Sequence, residues 1–398
     1  MLTRHLLLIT LAIPALLWGR VKTGLDVLVE QDFAPLAGKR VGVIANQNSM
    51  TWDHRNIVAV MVKSSRVKLT AIFSPEHGFS GTNPAGAIIE SGKDSVSGVP
   101  VYSLYNRGSN RPTPEMLAGV DVLVYDLPDV GARFWTYTTT LGYVMEVAAP
   151  LKIPIYVLDR PNPINGVTVE GPMLDQKYKS MIGYGSRPVR HGMTSGELAQ
   201  LFNAENKIGA ALTVIPMKDW NRGDWFDSTN LLWVNPSPNL RSLTAVTLYP
   251  GLCLLEAGRN WSVGRGTPAP FEQVGADFLK GGEFAAYLNQ RQIPGVRAYP
   301  TSFVPEESNF KGVRIEGVRF VITNRELFDS TRLGLEVAAA VQKLYPGKLD
   351  IAACVKLIGS TEVVRQLQAG EDPRNIEQNL VDSVAAFVKM REKYLLYR

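Results

Sequence analysis

The stretch DVLVYDLPDVGARFWTYTTTLGYVMEVAAPLKIPIYVLD, residues 121–159, decides the fold of this chain. Its ends, Asp121–Leu127 and Ile153–Asp159, are short apolar runs rich in β-branched and aromatic residues, the pattern of strands buried on both faces. Between them, Thr136–Leu151 carries apolar residues at helical spacing. The same alternation occurs upstream. Arg40–Asn46 and Val67–Phe73 read as buried strands, with a helix in residues 54–65 between them, and residues 100–105 read as a further strand. Strands separated by helices imply an α/β fold with a parallel sheet built from βαβ units. Downstream, MTSGELAQLFNAE opens a helix with a capping box, Thr194 to Glu197, and ALTVIPM is another strand.

The proline-rich segment WVNPSPNL, Trp233–Leu240, leads into a second region in which RAYPTSFVP and VRIEGVRFVIT read as strands among helices. We therefore expect three parts: residues 1–20, residues 21–240 with the parallel sheet, and a smaller α+β domain over 241–398. The first part, MLTRHLLLITLAIPALLWG, has a basic start and an apolar run too short for a comfortable membrane span. It reads as a signal peptide, which predicts an exported protein, periplasmic or extracellular, with no stable membrane insertion after cleavage. Cys253 and Cys354, the two cysteines, each lie in an apolar setting and read as buried thiols, although export leaves a disulfide possible.

The chain's 398 residues are 45% hydrophobic and 20% charged, with a formal net charge of +5, the balance of a globular protein. No basic run is interleaved with aromatics, so nucleic acid is not expected as a partner. No glycine-rich phosphate loop, nucleophile elbow or metal-ligand spacing occurs, so no cofactor or metal is expected. Oligomeric state is not legible.

In open parallel sheets ligands bind outside the carboxyl ends of the strands. Three loops at such ends carry the chemistry: SPEHGFSG (74–81), PDVGARFWTY (128–137) and RPNPINGVTVEGP (160–172). Glu76 and His77 are either a titratable pair at a site or a solvated turn. Glu170 is a second carboxylate, which glycosidic cleavage would need beside a first, and its bland alternative is a turn. Glu256 ends an apolar helical stretch and is either a site group or a buried, paired carboxylate. Asp129 follows a strand and either binds substrate or fixes its turn. Arg133, Arg160 and Arg265 suit recognition of a carboxylate, or else form structural ion pairs. Tyr137, with Trp135 and Trp261, offers flat faces for a sugar or fills the core. Asn162 stands in the same loop as Arg160.

Six ordered motifs, SPEHGFSG, DLPDVGARFWTYTTTLGYVMEVA, VLDRPNPINGVTVEGP, RHGMTSGELAQLFN, VNPSPNL and YPGLCLLEAGRNWSVGRGTPAPFE, together resemble the DUF1343 family, whose characterised members are exo-β-N-acetylmuramidases. The resemblance implies a Rossmann-like N-terminal catalytic domain and a smaller C-terminal domain closing over it. It implies no nucleotide, and a substrate bearing a non-reducing terminal N-acetylmuramic acid (MurNAc) on peptidoglycan fragments such as MurNAc–N-acetylglucosamine. It places the catalytic acid at Glu76 and makes Glu170 the second carboxylate. His77, Asp129, Arg133, Tyr137, Arg160, Asn162, Glu256 and Arg265 become substrate-binding candidates, with Arg133 first for the lactyl carboxylate of MurNAc. The chain departs from the family pattern at Pro128, Trp135 and Arg259. Two rival functions are a non-catalytic module that binds cell-wall fragments and a peptidoglycan amidase or esterase.

Overall fold

The apolar runs form the centre of a seven-stranded sheet in a computed structural model of the chain, which describes residues 19–106 and 110–398. The strands are β1 (Arg40–Ala45), β2 (Lys68–Ser74), β3 (Gly92–Lys93), β4 (Pro100–Ser103), β5 (Val122–Asp126), β6 (Ile155–Leu158) and β7 (Leu212–Ile215). Their order is β3-β4-β2-β1-β5-β6-β7, and only β3 runs antiparallel to its neighbour. The continuous apolar character of β1 and β5 follows from two cores. Val41, Val43, Val122 and Val124 pack with the helices Gly24–Glu30 and Ile57–Lys63 on one face. Ile44, Leu123 and Tyr125 pack with Leu141, Val144 and Met145 of the helix Thr136–Ala148 on the other.

The second region holds an antiparallel sheet, β8 (Gln273–Ala276), β9 (Val296–Phe303) and β10 (Ile315–Ile322), in the order β8-β10-β9. The helices Gly281–Gln290 and Ser330–Leu344 accompany it. The two-part α/β reading agrees with this architecture. β8, whose QVGA sequence has no alternation to betray it, was not anticipated. One core runs from Tyr125 and Leu141 through Leu248 to Val318 and Val337, so the regions share their interior.

The chain's last residues also cross back. Phe387 of the helix Pro373–Arg391 joins Tyr184, Leu198 and Phe202, covering the apolar face of the helix Ser195–Glu205. Beyond it, the Tyr397 hydroxyl donates to Asp159 Oδ2 at 2.6 Å. The expected cut at 240 therefore separates the two sheets but not all of the packing. Both cysteines are buried free thiols. The expected signal peptide lies outside the described residues apart from Gly19 and Arg20. Among the described residues no helix is long and apolar enough to cross a membrane.

The carboxyl ends of β1, β2, β5 and β6 lie along one edge of the sheet. From β1 the chain moves outward to β2, and it returns to the other side of β1 as β5. The switch point of the topology thus falls between β1 and β5, where a crevice opens.

Candidate active site

Glu76 follows β2 in a loop that folds back on itself. His77 and Gly78 both have positive φ, at 71° and 79°, and the Gly78 and Asn83 amides close the turn on Pro75 O and His77 O. Gly81 also has positive φ, and a Cβ there would collide with Gln47, so this glycine lets the loop lie against the residues after β1. Glu76 is 8% exposed. Its Oε1 accepts the Gly86 N–H at 3.0 Å and its Oε2 accepts the Thr136 hydroxyl at 2.7 Å. Thr136 is the first residue of the long helix after β5. Burial, then the charge of Glu76 and a hydrogen bond to it, push the Tyr105 hydroxyl up to about 12. Both hydroxyls can rotate to donate or accept, so the site can hold Glu76 in either protonation state.

His77 Nδ1 stands 2.7 Å from Asn83 O. A carbonyl only accepts, so Nδ1 carries the proton and the neutral ring presents Nε2 as a base. Burial lowers the His77 pKa, opposed by the Glu76 charge and the Asn83 bond and assisted by Arg265. The pair lines a partly open cavity, with about 340 Å³ of free space counting open solvent, together with Trp135, Thr136, Tyr249, Arg265 and Phe271. The last of these elements come from the second region, which closes the cavity from above.

Arg265 brings the positive charge. Its Nε donates to Glu256 Oε1, and its guanidinium lies 5.0 Å from the centre of the Phe271 ring. Burial works against this charge, but the Glu256 carboxylate outweighs it and the Arg265 pKa lies above its ordinary value. Glu256 also accepts from Cys253 Sγ at 3.2 Å. It does not line the cavity; it holds the arginine that does.

Asp129 and Arg160 belong to a different cavity, at the β1–β5 switch point. Arg160 binds both oxygens of the fully buried Asp126, at 2.6 and 2.8 Å, and donates to Met50 O. Burial raises the Asp126 carboxyl and Arg160 opposes that rise. His191 Nδ1 accepts the Met193 amide, which leaves its other nitrogen 3.2 Å from Asp129 Oδ2.

Four expected site groups are structural in this geometry. Arg133 is fully buried and donates to four main-chain carbonyls, of Pro172, Arg187, Leu357 and Ile358, at 2.7–3.2 Å. Gly359, at positive φ, makes room for it, since a Cβ there would meet the guanidinium. Its Nη atoms are thus spent on three chain segments, and Arg133 lines neither cavity. Glu170 is held by the buried Arg190 at 2.7 Å and accepts the Ser330 amide at the start of the helix Ser330–Leu344. It lines neither cavity, and its bonds join the first region to the second. Asn162 is fully buried, bonding Met193 O and the Ile164 amide. Tyr137 is buried behind the site, where its hydroxyl meets Asn46, Glu76 O and Pro236 O; it ties loops together and offers no face to a sugar. Trp261 is likewise core.

Thr136, Tyr105, Tyr249 and Phe271 were not anticipated as site residues. Thr136 had one signal, its place as the first helical residue after a strand-end loop. The others reach the site through tertiary packing. Two departures from the family pattern touch each other, since Trp135 Nε1 donates to Pro128 O at 3.1 Å. Arg259, the third, is exposed and lines neither cavity. No cluster of three or more metal-ligating side chains occurs among the described residues.

Comparison with known proteins fits this arrangement. Residues 41–244 match the N-terminal domain of the exo-β-N-acetylmuramidase NamZ and residues 247–397 match its C-terminal domain. A peptidoglycan β-N-acetylmuramidase NamZ from Bacillus subtilis (strain 168) is 42% identical over 381 residues, 95% of this chain and 92% of that protein. Two crystal structures of DUF1343 family proteins from Bacteroides fragilis superpose with TM-scores of 0.87 and 0.78, at 34% and 29% identity. They cover 95% and 96% of this chain, and 99% of each of theirs. With both domain matches in sequence order and a relative this similar over nearly its whole length, the chain belongs to the NamZ family of exo-β-N-acetylmuramidases.

Proposed function

We propose that the protein is an exo-acting β-N-acetylmuramidase that removes non-reducing terminal MurNAc from peptidoglycan fragments, with Glu76 as general acid. The observation that carries this reading is the cavity itself. It is small, and it sets one carboxylate, one neutral imidazole and one guanidinium around a space walled by aromatic rings. Glu76 delivers a proton to the departing glycosidic oxygen. His77 Nε2, held unprotonated by the Nδ1 bond, accepts the proton of the attacking water. Arg265 meets the lactyl carboxylate that distinguishes MurNAc from N-acetylglucosamine. With no second carboxylate lining the cavity, a base that activates water on the opposite face gives an inverted product. Export to the cell-wall compartment is part of the same proposal, resting on the N-terminal sequence.

The test uses nitrophenyl β-glycosides of MurNAc and of N-acetylglucosamine. Turnover of the first and not the second supports the reading, and an α-configured first product, seen by NMR, supports His77 as base. Arg265→Ala should erase much of the preference, a loss of about 2–5 kcal/mol in discrimination. Binding without turnover would favour a wall-binding module; release of peptide or acetate would point to an amidase or esterase.

A further inference from the structure

The cavity at the switch point takes no part in the chemistry of Glu76, yet it is built like a ligand site. It is a cleft partly open to solvent, with about 660 Å³ of free space when that open solvent is counted. Asp129 and Arg160 line it, with Trp52, Trp233 and Pro236 among its walls. Asp129 is 3% exposed, and its Oδ1 has no hydrogen-bond partner. The contact with His191 touches only Oδ2. The Trp233 indole N–H is buried without an acceptor. Arg160 commits Nε and Nη2 to Asp126 and Met50, while Nη1 makes no hydrogen bond. Trp52 is half exposed.

These groups restrict the ligand. A buried acceptor and a buried donor without partners call for a molecule that both donates and accepts, as a hydroxyl does. The carboxylates of Asp126 and Asp129 offset the charge of Arg160, which disfavours a phosphate or other anion. Indole rings suit the apolar face of a pyranose. The cavity also adjoins the Glu76 site. Pro236 lines one and Ser237 lines the other, and Pro128 and Trp135, which likewise line one each, are hydrogen-bonded.

We propose that this cavity is a second saccharide subsite, which holds the neutral N-acetylhexosamine on the leaving side of the bond that Glu76 breaks. As a leaving-side subsite it rests on the muramidase reading. The Glu76 cavity then takes the terminal ring, and the glycan crosses the Pro236–Ser237 peptide into the larger one.

Calorimetric titration of N-acetylglucosamine into the Glu76→Gln protein tests the site without turnover. Trp52→Ala removes an exposed ring, and Trp233→Phe removes only the N–H and part of the ring, so the fold should survive both. Each should weaken binding of the sugar roughly tenfold. In the protein with Glu76 intact, each should lower kcat/KM for MurNAc–N-acetylglucosamine by a similar factor and leave nitrophenyl MurNAc within about twofold. Sugar affinity indifferent to both substitutions, or equal losses on the two substrates, would overturn the proposal. So would binding of a cell-wall stem peptide in place of the sugar. If the intact protein turns over neither substrate, the muramidase reading and the leaving-side role fail together, while the titration still decides whether the cavity binds sugar.

Discussion

Replacing Glu76 by Gln changes the chemistry of the site while barely disturbing its hydrogen bonds. The amide oxygen can still accept the Gly86 N–H, and the amide NH₂ can donate to Thr136 Oγ1, whose hydroxyl rotates to accept. The exchange trades one charged acceptor for a neutral pair, so stability should move by no more than about 1 kcal/mol. Turnover is another matter. A glutamine has no proton to deliver, and general acid catalysis contributes about 10²- to 10⁴-fold, or about 3–5 kcal/mol of barrier. The assay compares kcat on MurNAc–N-acetylglucosamine, whose departing oxygen needs a proton, with kcat on a nitrophenyl glycoside, whose phenolate leaves readily without one. The disaccharide should lose the full factor and the nitrophenyl substrate much less, with the melting temperature nearly unchanged. Wild-type turnover of the disaccharide by Glu76→Gln would refute the assignment. Equal losses on both substrates would assign Glu76 to binding instead.

Three further outcomes follow from the same geometry. Because burial lowers the His77 pKa from 6.5 and the base must be neutral, the acid limb of the kcat–pH profile should lie below pH 6.5. His77→Asn, which keeps a residue suited to positive φ, should be slow and lack that limb; a limb that persists unchanged removes His77 from the chemistry. Arg133→Ala leaves buried carbonyls from three segments unpaired, so urea unfolding should show a loss of about 3 kcal/mol or more, with the preference for MurNAc over N-acetylglucosamine intact in what folds. A stable variant with selectively lost preference would restore Arg133 as a substrate group. Asp329 is raised to about 7, by burial and then by the Glu170 charge. A carboxyl raised on folding adds stability that is full below its unfolded pKa near 4 and fades as pH rises through 7. Asp329→Asn should therefore flatten the decline in melting temperature between pH 4 and 7, and an unchanged slope would place the titration elsewhere.

Much of the fold was legible because both of its signals are local. Unbroken apolar runs such as Val122–Tyr125 mark strands covered on two faces, and helical spacing between them leaves a parallel sheet as the economical arrangement. Loops at strand ends then marked Glu76, His77, Asp129 and Arg160 without further information. Glu76, His77 and Arg265 line one cavity together although Arg265 lies far along the chain, in a loop whose glycines and prolines hinted at function.

Partnership was not legible. Arg133 and Arg265 read alike in sequence, each an arginine in a glycine-bearing loop beside aromatic residues. One is consumed by four carbonyls and the other, bound through Nε to Glu256, lines a cavity, because Gly359 and Glu256, distant or ambiguous in sequence, happen to sit against them. Glu76 and Glu170 diverge in the same way, one meeting hydroxyls that can reverse, the other a buried arginine and a helix amide. The elements, the carboxyl-end edge on which chemistry would collect, and the residue types available there are all readable from neighbours within a few positions. Which of those residues remain unpaired and face a cavity emerges only when distant segments pack together. That depends on the desolvated contacts each side chain finds among residues far away in the chain, and burial makes such contacts too strong to leave open.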